Sequence, residues 1–287
     1  MDVVLSGHTH AFTNAYLENA GQNPVLVTQA YSYGRAFADV DIVIDPPLTG
    51  EVTHTSARIV PAYRNGTSPP DPEALALLEA CEAAVEPLTA RVITTTSTEI
   101  TRLQTDAGES ALGNLVADSQ RAAMGADIAF VTTGSLRAEI AKGGNVTRGG
   151  DLYAVQPFSS TVLSMTLTGE QVRNVLERQW EAPLPPPHNL AVSGLTYTFD
   201  ERKPAGDRIV DIRVNGTLLD PNGSYTAAMV DFLATGGDKY AVFREGTNIV
   251  NGPYDVDALV AYMESLPEPV DAKPEGGRIA KAGQGVI

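Results

Sequence analysis

The sequence predicts an α/β protein of the α+β kind, built as two unequal parts. Two observations carry that expectation. Short β-branched runs recur along the chain and, from Val92 onward, alternate with stretches whose apolar residues fall at helical spacing. A turn-rich segment, Asn65 to Asp71 (NGTSPPD), separates a strand-dominated front from this alternating remainder. At 287 residues and 43% hydrophobic content the chain is long enough to bury one or two cores.

In order, a strand is expected at Val3 to Leu5, followed by the loop Ser6-Gly7-His8-Thr9-His10. Further strands are expected at Val25 to Gln29 and Ala36 to Ile44, with Gly34 and Pro46-Pro47 as punctuation. Pro72 opens a helix carrying Leu75, Leu78, Ala80, Cys81 and Val85, ending near Pro87. The second part has strands near Val92 to Thr96, Asp127 to Thr132, Val162 to Leu167, Gly194 to Phe199, Ile209 to Val214 and Tyr225 to Val230. Helices are expected over Ala111 to Met124, Gly169 to Trp180 and Val256 to Leu266, the second opened by a Thr168/Gln171 capping box. Asn215-Gly216 marks a hairpin. The tail beyond Pro267 is expected to run extended over the surface.

Twenty basic against 35 acidic residues give a net charge of −15, which argues against general affinity for nucleic acid or anionic membrane. A phosphate-bearing ligand would need a local positive site. The single cysteine, Cys81, excludes a disulfide within the chain. No run of 18 apolar residues is present, so no membrane-spanning helix is expected, and no signal-peptide pattern is visible. The sequence leaves the oligomeric state open.

Chemistry concentrates in a few loops. In an extended segment residues two apart share a face, so His8 and His10 could present two imidazoles to one metal, with Gly7 permitting close approach. Gly134 follows a strand and precedes an expected helix, where backbone amides and the helix dipole favour anions, and Arg137 either adds a fixed cationic fork or pairs with one of the many surface acids. Phe158 and Phe232 sit at strand edges, either as core residues or as rings that stack on a nucleobase. Asp238, behind Gly236 and Gly237, is either a turn former or an acceptor for ribose hydroxyls. His54 in a Thr-rich strand and His188 after Pro-Pro-Pro read as structural or surface residues.

Taken together, GHTH, GESALGNLVAD, TTGSLR, VQPF and FLATGGD, in this order, resemble the 5′-nucleotidase family, including UDP-sugar hydrolases and 2′,3′-cyclic nucleotide phosphodiesterases. The resemblance covers nearly the whole chain. It implies residues 1–62 as the C-terminal remnant of a calcineurin-like metallophosphoesterase domain, 63–91 as linker and connecting helix, and 92–287 as the C-terminal, substrate-binding 5′-nucleotidase domain. It also implies two divalent metal ions in the intact enzyme, with His8 and His10 in the last metal motif. Phe158 and Phe232 match the stacking pair, Asp238 the ribose acid and Arg137 the phosphate-side arginine. Thr132, Gly134, Gly236 and Gly237 complete the substrate-binding stretches.

The departures carry expectations too. Thr132 stands where the family has asparagine, and Asp106 where some members have a second arginine; Arg102 is nearby but out of register. The earlier Asp-x-His and GNHE- or GNHD-like motifs have no counterpart, so the metal site is expected to be incomplete and the chain inactive alone, as a truncated hydrolase. The competing readings are a nucleoside-binding module without catalysis, and a hydrolase of UDP-sugars, cyclic nucleotides or thiosulfonates. The resemblance implies a nucleotide or nucleoside as partner and an extracytoplasmic location.

Overall fold

A computed structural model describes residues 1–45, 50–63, 69–141, 143–181, 190–272 and 277–283. Pro46-Pro47, most of the expected linker, and His188 lie outside the described residues. The chain divides into two compact units, residues 1–79 and 80–287.

The first unit contains β1 (Val3–Leu5), β2 (Phe12–Glu18), β3 (Pro24–Ala30), β4 (Ala36–Ile44) and β5 (Val52–Pro61). The central strand, β3, pairs parallel with β1 and antiparallel with β2, while β4 and β5 form a separate antiparallel pair. Val25 and Leu26 of β3 are its buried hydrophobic residues, and Asn14 donates to the Ala57 carbonyl at 2.9 Å, tying β2 to β5. Many large apolar side chains, including Phe12, Tyr16, Leu17, Phe37 and Ile42 to Ile44, remain exposed.

Helix α1 (Pro72–Thr89) spans the unit boundary and continues through Pro87 rather than ending there. A proline in the last turn forfeits one hydrogen bond without terminating the helix. Cys81 on α1 is exposed.

The second unit follows with β6 (Val92–Thr95), α2 (Ala111–Met124), β7 (Ile128–Thr132), β8 (Asn145–Thr147), the single turn α3 (Tyr153–Val155) and β9 (Thr161–Thr168). Next come α4 (Gly169–Glu177), β10 (Leu190–Ser193), β11 (Leu195–Phe199), β12 (Ile209–Val214), β13 (Thr217–Leu218) and β14 (Ser224–Val230). The single turn α5 (Asp231–Ala234), β15 (Thr247–Tyr254), α6 (Asp255–Ser265) and β16 (Ile279–Lys281) complete it. A five-stranded mixed sheet in the order β10-β7-β14-β9-β15 is its centre; a second sheet runs β13-β12-β11-β16, and β6 pairs with β8.

β7 shows why the centre is buried on both faces. Ile128 and Phe130 join one core cluster with Met165, Met229 and Phe243, whereas Val131 joins another with Leu112, Leu115 and Leu259. An unbroken apolar run is what such a strand requires. Helix α2 covers the second face. Ser110 caps its N-terminus by accepting from the Gly113 N–H, and Gly125 ends it in the left-handed conformation at φ 57°. The Thr168/Gln171 capping box opens α4, which gives way to a tighter 3-10 turn at Arg178–Trp180.

The tail does not behave as a surface extension. Val270 is 3% exposed and its N–H donates to the Thr95 carbonyl, while β16 pairs parallel with β11 and buries Ile279. Apolar residues in an otherwise Gly- and Lys-rich stretch have been drawn into the core. Glu109 fixes this return. Its buried carboxylate accepts from the Asn114 amide at 2.7 Å and from the backbone N–H groups of Gly277, Arg278 and Ile279 at 3.2 to 3.3 Å. Asp118 adds a two-pronged pair with Arg278 at 2.9 and 2.8 Å. The GESALGNLVAD stretch therefore caps α2 and clasps the C-terminal strand.

Candidate functional site

The end of β7 and the turn after β14 meet through one hydrogen bond. Thr132, the last residue of β7, donates its hydroxyl proton to Asp238 Oδ2 at 2.6 Å. Because β7 and β14 are parallel neighbours, both deliver their C-terminal ends to the same side of the sheet. Ligands of open α/β sheets gather outside such ends.

Around Asp238 the backbone is unusual. Gly236 adopts φ 87°, and Asp238 and Lys239 are also left-handed, at 49° and 66°. A side chain on Gly236 would strike Arg244, whose Nε donates to the Thr235 carbonyl at 2.8 Å; one on Gly237 would strike the Phe232 ring at 2.5 Å. The two glycines let the turn fold back beneath Phe232, so the ring and the carboxylate come from one compact feature.

Phe158 belongs to the turn Gln156-Pro157-Phe158-Ser159, where Ser159 is left-handed at φ 52°. Phe158 and Phe232 are 58% and 50% exposed, so neither is a core residue. Arg137 lies over Phe158 with its guanidinium carbon 6.0 Å from the ring centre and donates to the Gly134 carbonyl at 3.2 Å. Its own N–H is anchored to the Val155 carbonyl at 2.9 Å.

The expectation of a helix dipole at Gly134 does not hold. Residues Thr133–Ser135 form only a three-residue 3-10 turn, too short to sum peptide dipoles, so positive charge at this loop comes from side chains. Arg102 supplies some of it. Set aside in the sequence as out of register, it donates through Nη1 to the Leu136 carbonyl at 3.0 Å, beside Arg137, and lies 3.9 Å from Glu139. A segment that wraps back over the loop makes register a poor guide.

Asp255 stands between the two phenylalanine-bearing segments. Its N–H donates to the Ser160 carbonyl, and burial, with some help from the Asp231 carboxylate, pushes its pKa up to about 6. No sequence signal marked it.

The histidine loop differs from expectation as well. His8 and His10 are left-handed, at φ 72° and 59°, so the alternation of an extended segment does not apply to them. The His10 ring instead packs edge-on to Tyr33, with centroids 5.4 Å apart. Among the described residues no group of three or more His, Cys, Asp or Glu side chains is placed to hold a metal, so the residues present do not make up a dinuclear centre. His54 on β5 is exposed.

Comparison with known proteins bears on all of this. Residues 91–245 match the family described as 5′-nucleotidase, C-terminal domain. Endonuclease YhcR of Bacillus subtilis is 34% identical over 96% of this chain, which spans 22% of that protein. A cell wall protein of Listeria monocytogenes is 26% identical over 98% of this chain and 38% of its own length. Among solved structures, a 5′-nucleotidase precursor from Thermus thermophilus aligns with a TM-score of 0.76 at 29% identity, over 99% of this chain and 60% of that one. The chain thus spans well under half of these curated relatives. With the matched domain covering the β6 to β14 framework and its loops, the chain belongs to the 5′-nucleotidase family.

Proposed function

We propose that this chain supplies the nucleoside-binding part of a nucleotide phosphoester hydrolase. The observation that carries the reading is the Thr132–Asp238 hydrogen bond, which joins the loop bearing Arg137 to the turn bearing Phe232. Exposed rings at Phe158 and Phe232 suit a stacked base, at about 1–3 kcal/mol per base. Asp238 keeps its second carboxylate oxygen for ribose hydroxyls, and Arg137 with Arg102 answers phosphate in a chain of net charge −15. Gly134, Gly236 and Gly237 allow the backbone to approach.

Residues 1–62 are read as the C-terminal part of a metallophosphoesterase domain, 63–91 as the connection and 92–287 as the substrate domain. The exposed apolar residues of the first unit fit a sheet that packs against further structure. Two divalent ions would supply the attacking hydroxide in the family enzyme. His8 and His10 would contribute to that centre without completing it, so residues 1–287 are expected to bind nucleotide and not to hydrolyse it. A relative described as a cell wall protein favours an extracytoplasmic setting, and no described helix is long and apolar enough to cross a membrane.

Calorimetric titration of adenosine and adenosine 5′-monophosphate into the wild type and a Phe158→Ala, Phe232→Ala variant tests the reading. Micromolar binding by the wild type, weakened at least about tenfold in the variant, is expected. Equal affinities would remove the stacking pair. Preference for a thiosulfonate or another baseless anion would transfer the site to a different substrate class.

A further inference from the structure

At the opposite end of β7, three arginines converge on one cavity. It has a volume of about 260 Å³ and is bounded by Arg121, Arg213 and Arg278 with Asp118, Asn215 and Gly216. Arg121 Nε donates to the carbonyl of Asp127, the residue before β7 begins. Thr132 lies five residues further, about 16 Å along an extended strand. The cavity is therefore separate from the nucleotide loops and does not depend on their assignment.

The charges around it do not cancel. Arg278 is held by Asp118, and Arg213 by Asp211 at 2.9 Å. Arg121 has no ion pair among the described residues, and the carboxylate of Asp127 is turned to the N–H and hydroxyl of Thr226 at 2.8 and 2.7 Å. One guanidinium is left uncompensated in a chain with 35 acidic residues. The wall is also built to keep it there. Gly194 is left-handed at φ 73°, and a side chain on it would strike the Asp127 carbonyl at 2.0 Å and come within 2.8 Å of Arg121 Nε, so glycine lets the wall close on the carbonyl that holds Arg121. Asn215 and Gly216, at φ 50° and 80°, close the other side as a tight hairpin turn.

We propose that this cavity is a second anion site that takes a phosphate group, with Arg121 as its principal cation and Arg213 as its neighbour. A planar guanidinium offers paired donors to tetrahedral oxyanions. At about 260 Å³ the cavity has room for a tetrahedral oxyanion and is open to solvent on one side. It therefore accommodates either inorganic phosphate or the head of a small phosphate ester.

The test is amide-resonance titration of the full chain carrying Arg102→Gln and Arg137→Gln, which silences the arginines of the nucleotide loops. Inorganic phosphate and glycerol 3-phosphate are the probes, with chloride at equal ionic strength as control. Saturable shifts at Gly194, Asn215 and Gly216 with a dissociation constant of about 1 mM are expected, and chloride should give none. Tighter binding of the ester identifies a phosphorylated small molecule as the ligand; tighter binding of inorganic phosphate identifies the free ion. Arg121→Gln should weaken binding about tenfold. Thr196→Glu, which places a carboxylate on the exposed rim without altering an arginine, should do the same. No saturable shift, or affinities unchanged in both variants, would overturn the proposal. Failure of the nucleotide site would show separately, as absent shifts at Phe232 and Gly237 when adenosine is added.

Discussion

Replacing Glu109 by alanine should loosen the C-terminal strand and destabilise the second unit. The carboxylate is 1% exposed and serves four donors: the Asn114 amide at 2.7 Å and three successive backbone N–H groups at 3.2 to 3.3 Å. A buried donor left without an acceptor costs about 1–3 kcal/mol. The Asn114 amide and the Ile279 N–H are buried and bear that cost fully, whereas Gly277 and Arg278 are partly exposed and recover water. The long bonds share one oxygen and count for less than three. The expected loss is therefore about 3–4 kcal/mol, a large part of the 5–15 kcal/mol typical of a domain. Glu109→Gln keeps one acceptor oxygen but points N–H at N–H, and should lose about 1–2 kcal/mol. Urea unfolding measures both, and amide exchange at Ile279 to Lys281 should accelerate in the alanine variant. A loss below about 0.5 kcal/mol, with exchange unchanged, would refute the clasp.

Three other outcomes follow from particular contacts. The pKa of Asp255 lies above its ordinary 3.8, near 6, so the native state holds the proton more tightly than the unfolded chain; this contribution is full below about pH 4 and is lost as pH rises through 6. Asp255→Asn should flatten the stability profile between pH 4 and 7 and raise stability at pH 7 by about 1–3 kcal/mol, measured by thermal unfolding across pH. Gly113→Ala should destabilise by about 1–3 kcal/mol despite better helix propensity, because its methyl would sit 2.8 Å from the Ala191 Cβ and the Ser110 Oγ; chemical denaturation reads this. Thr132→Val removes the donor that orients Asp238, and should lower adenosine affinity about three- to tenfold with the fold intact, by calorimetry.

Local chemistry made several elements legible in the sequence. Strand Ala36–Ile44 follows its apolar alternation, and Ala111–Met124 is bracketed by the Ser110 cap and Gly125 stop. Other strands owe their existence to partners. Phe12–Glu18 mixes asparagine and glutamate with apolar residues and becomes a strand because β3 offers a full ladder. Thr247–Tyr254 contains asparagine, glycine and proline, and is an exposed edge strand with two register shifts, where such residues are tolerated. Ile279–Lys281 is three residues whose place is dictated by Glu109 and Asp118, contacts 160 to 170 positions apart. The same division holds at the site. Phe158, Phe232 and Asp238 were visible as motif residues, but their exposure and the Thr132–Asp238 bond arise only when parallel strands align their ends. Arg102 was illegible because a folded-back segment, not spacing, brings it to Leu136. His8 and His10 kept their motif and lost the extended geometry that gave it meaning.

The most direct test of the nucleotide-binding account is a crystal structure of residues 1–287 with adenosine 5′-monophosphate. The base should lie between Phe158 and Phe232, the ribose hydroxyls should reach Asp238, and the phosphate should face Arg137. A nucleotide bound elsewhere, with both rings free and Asp238 engaged by Thr132 alone, would contradict it.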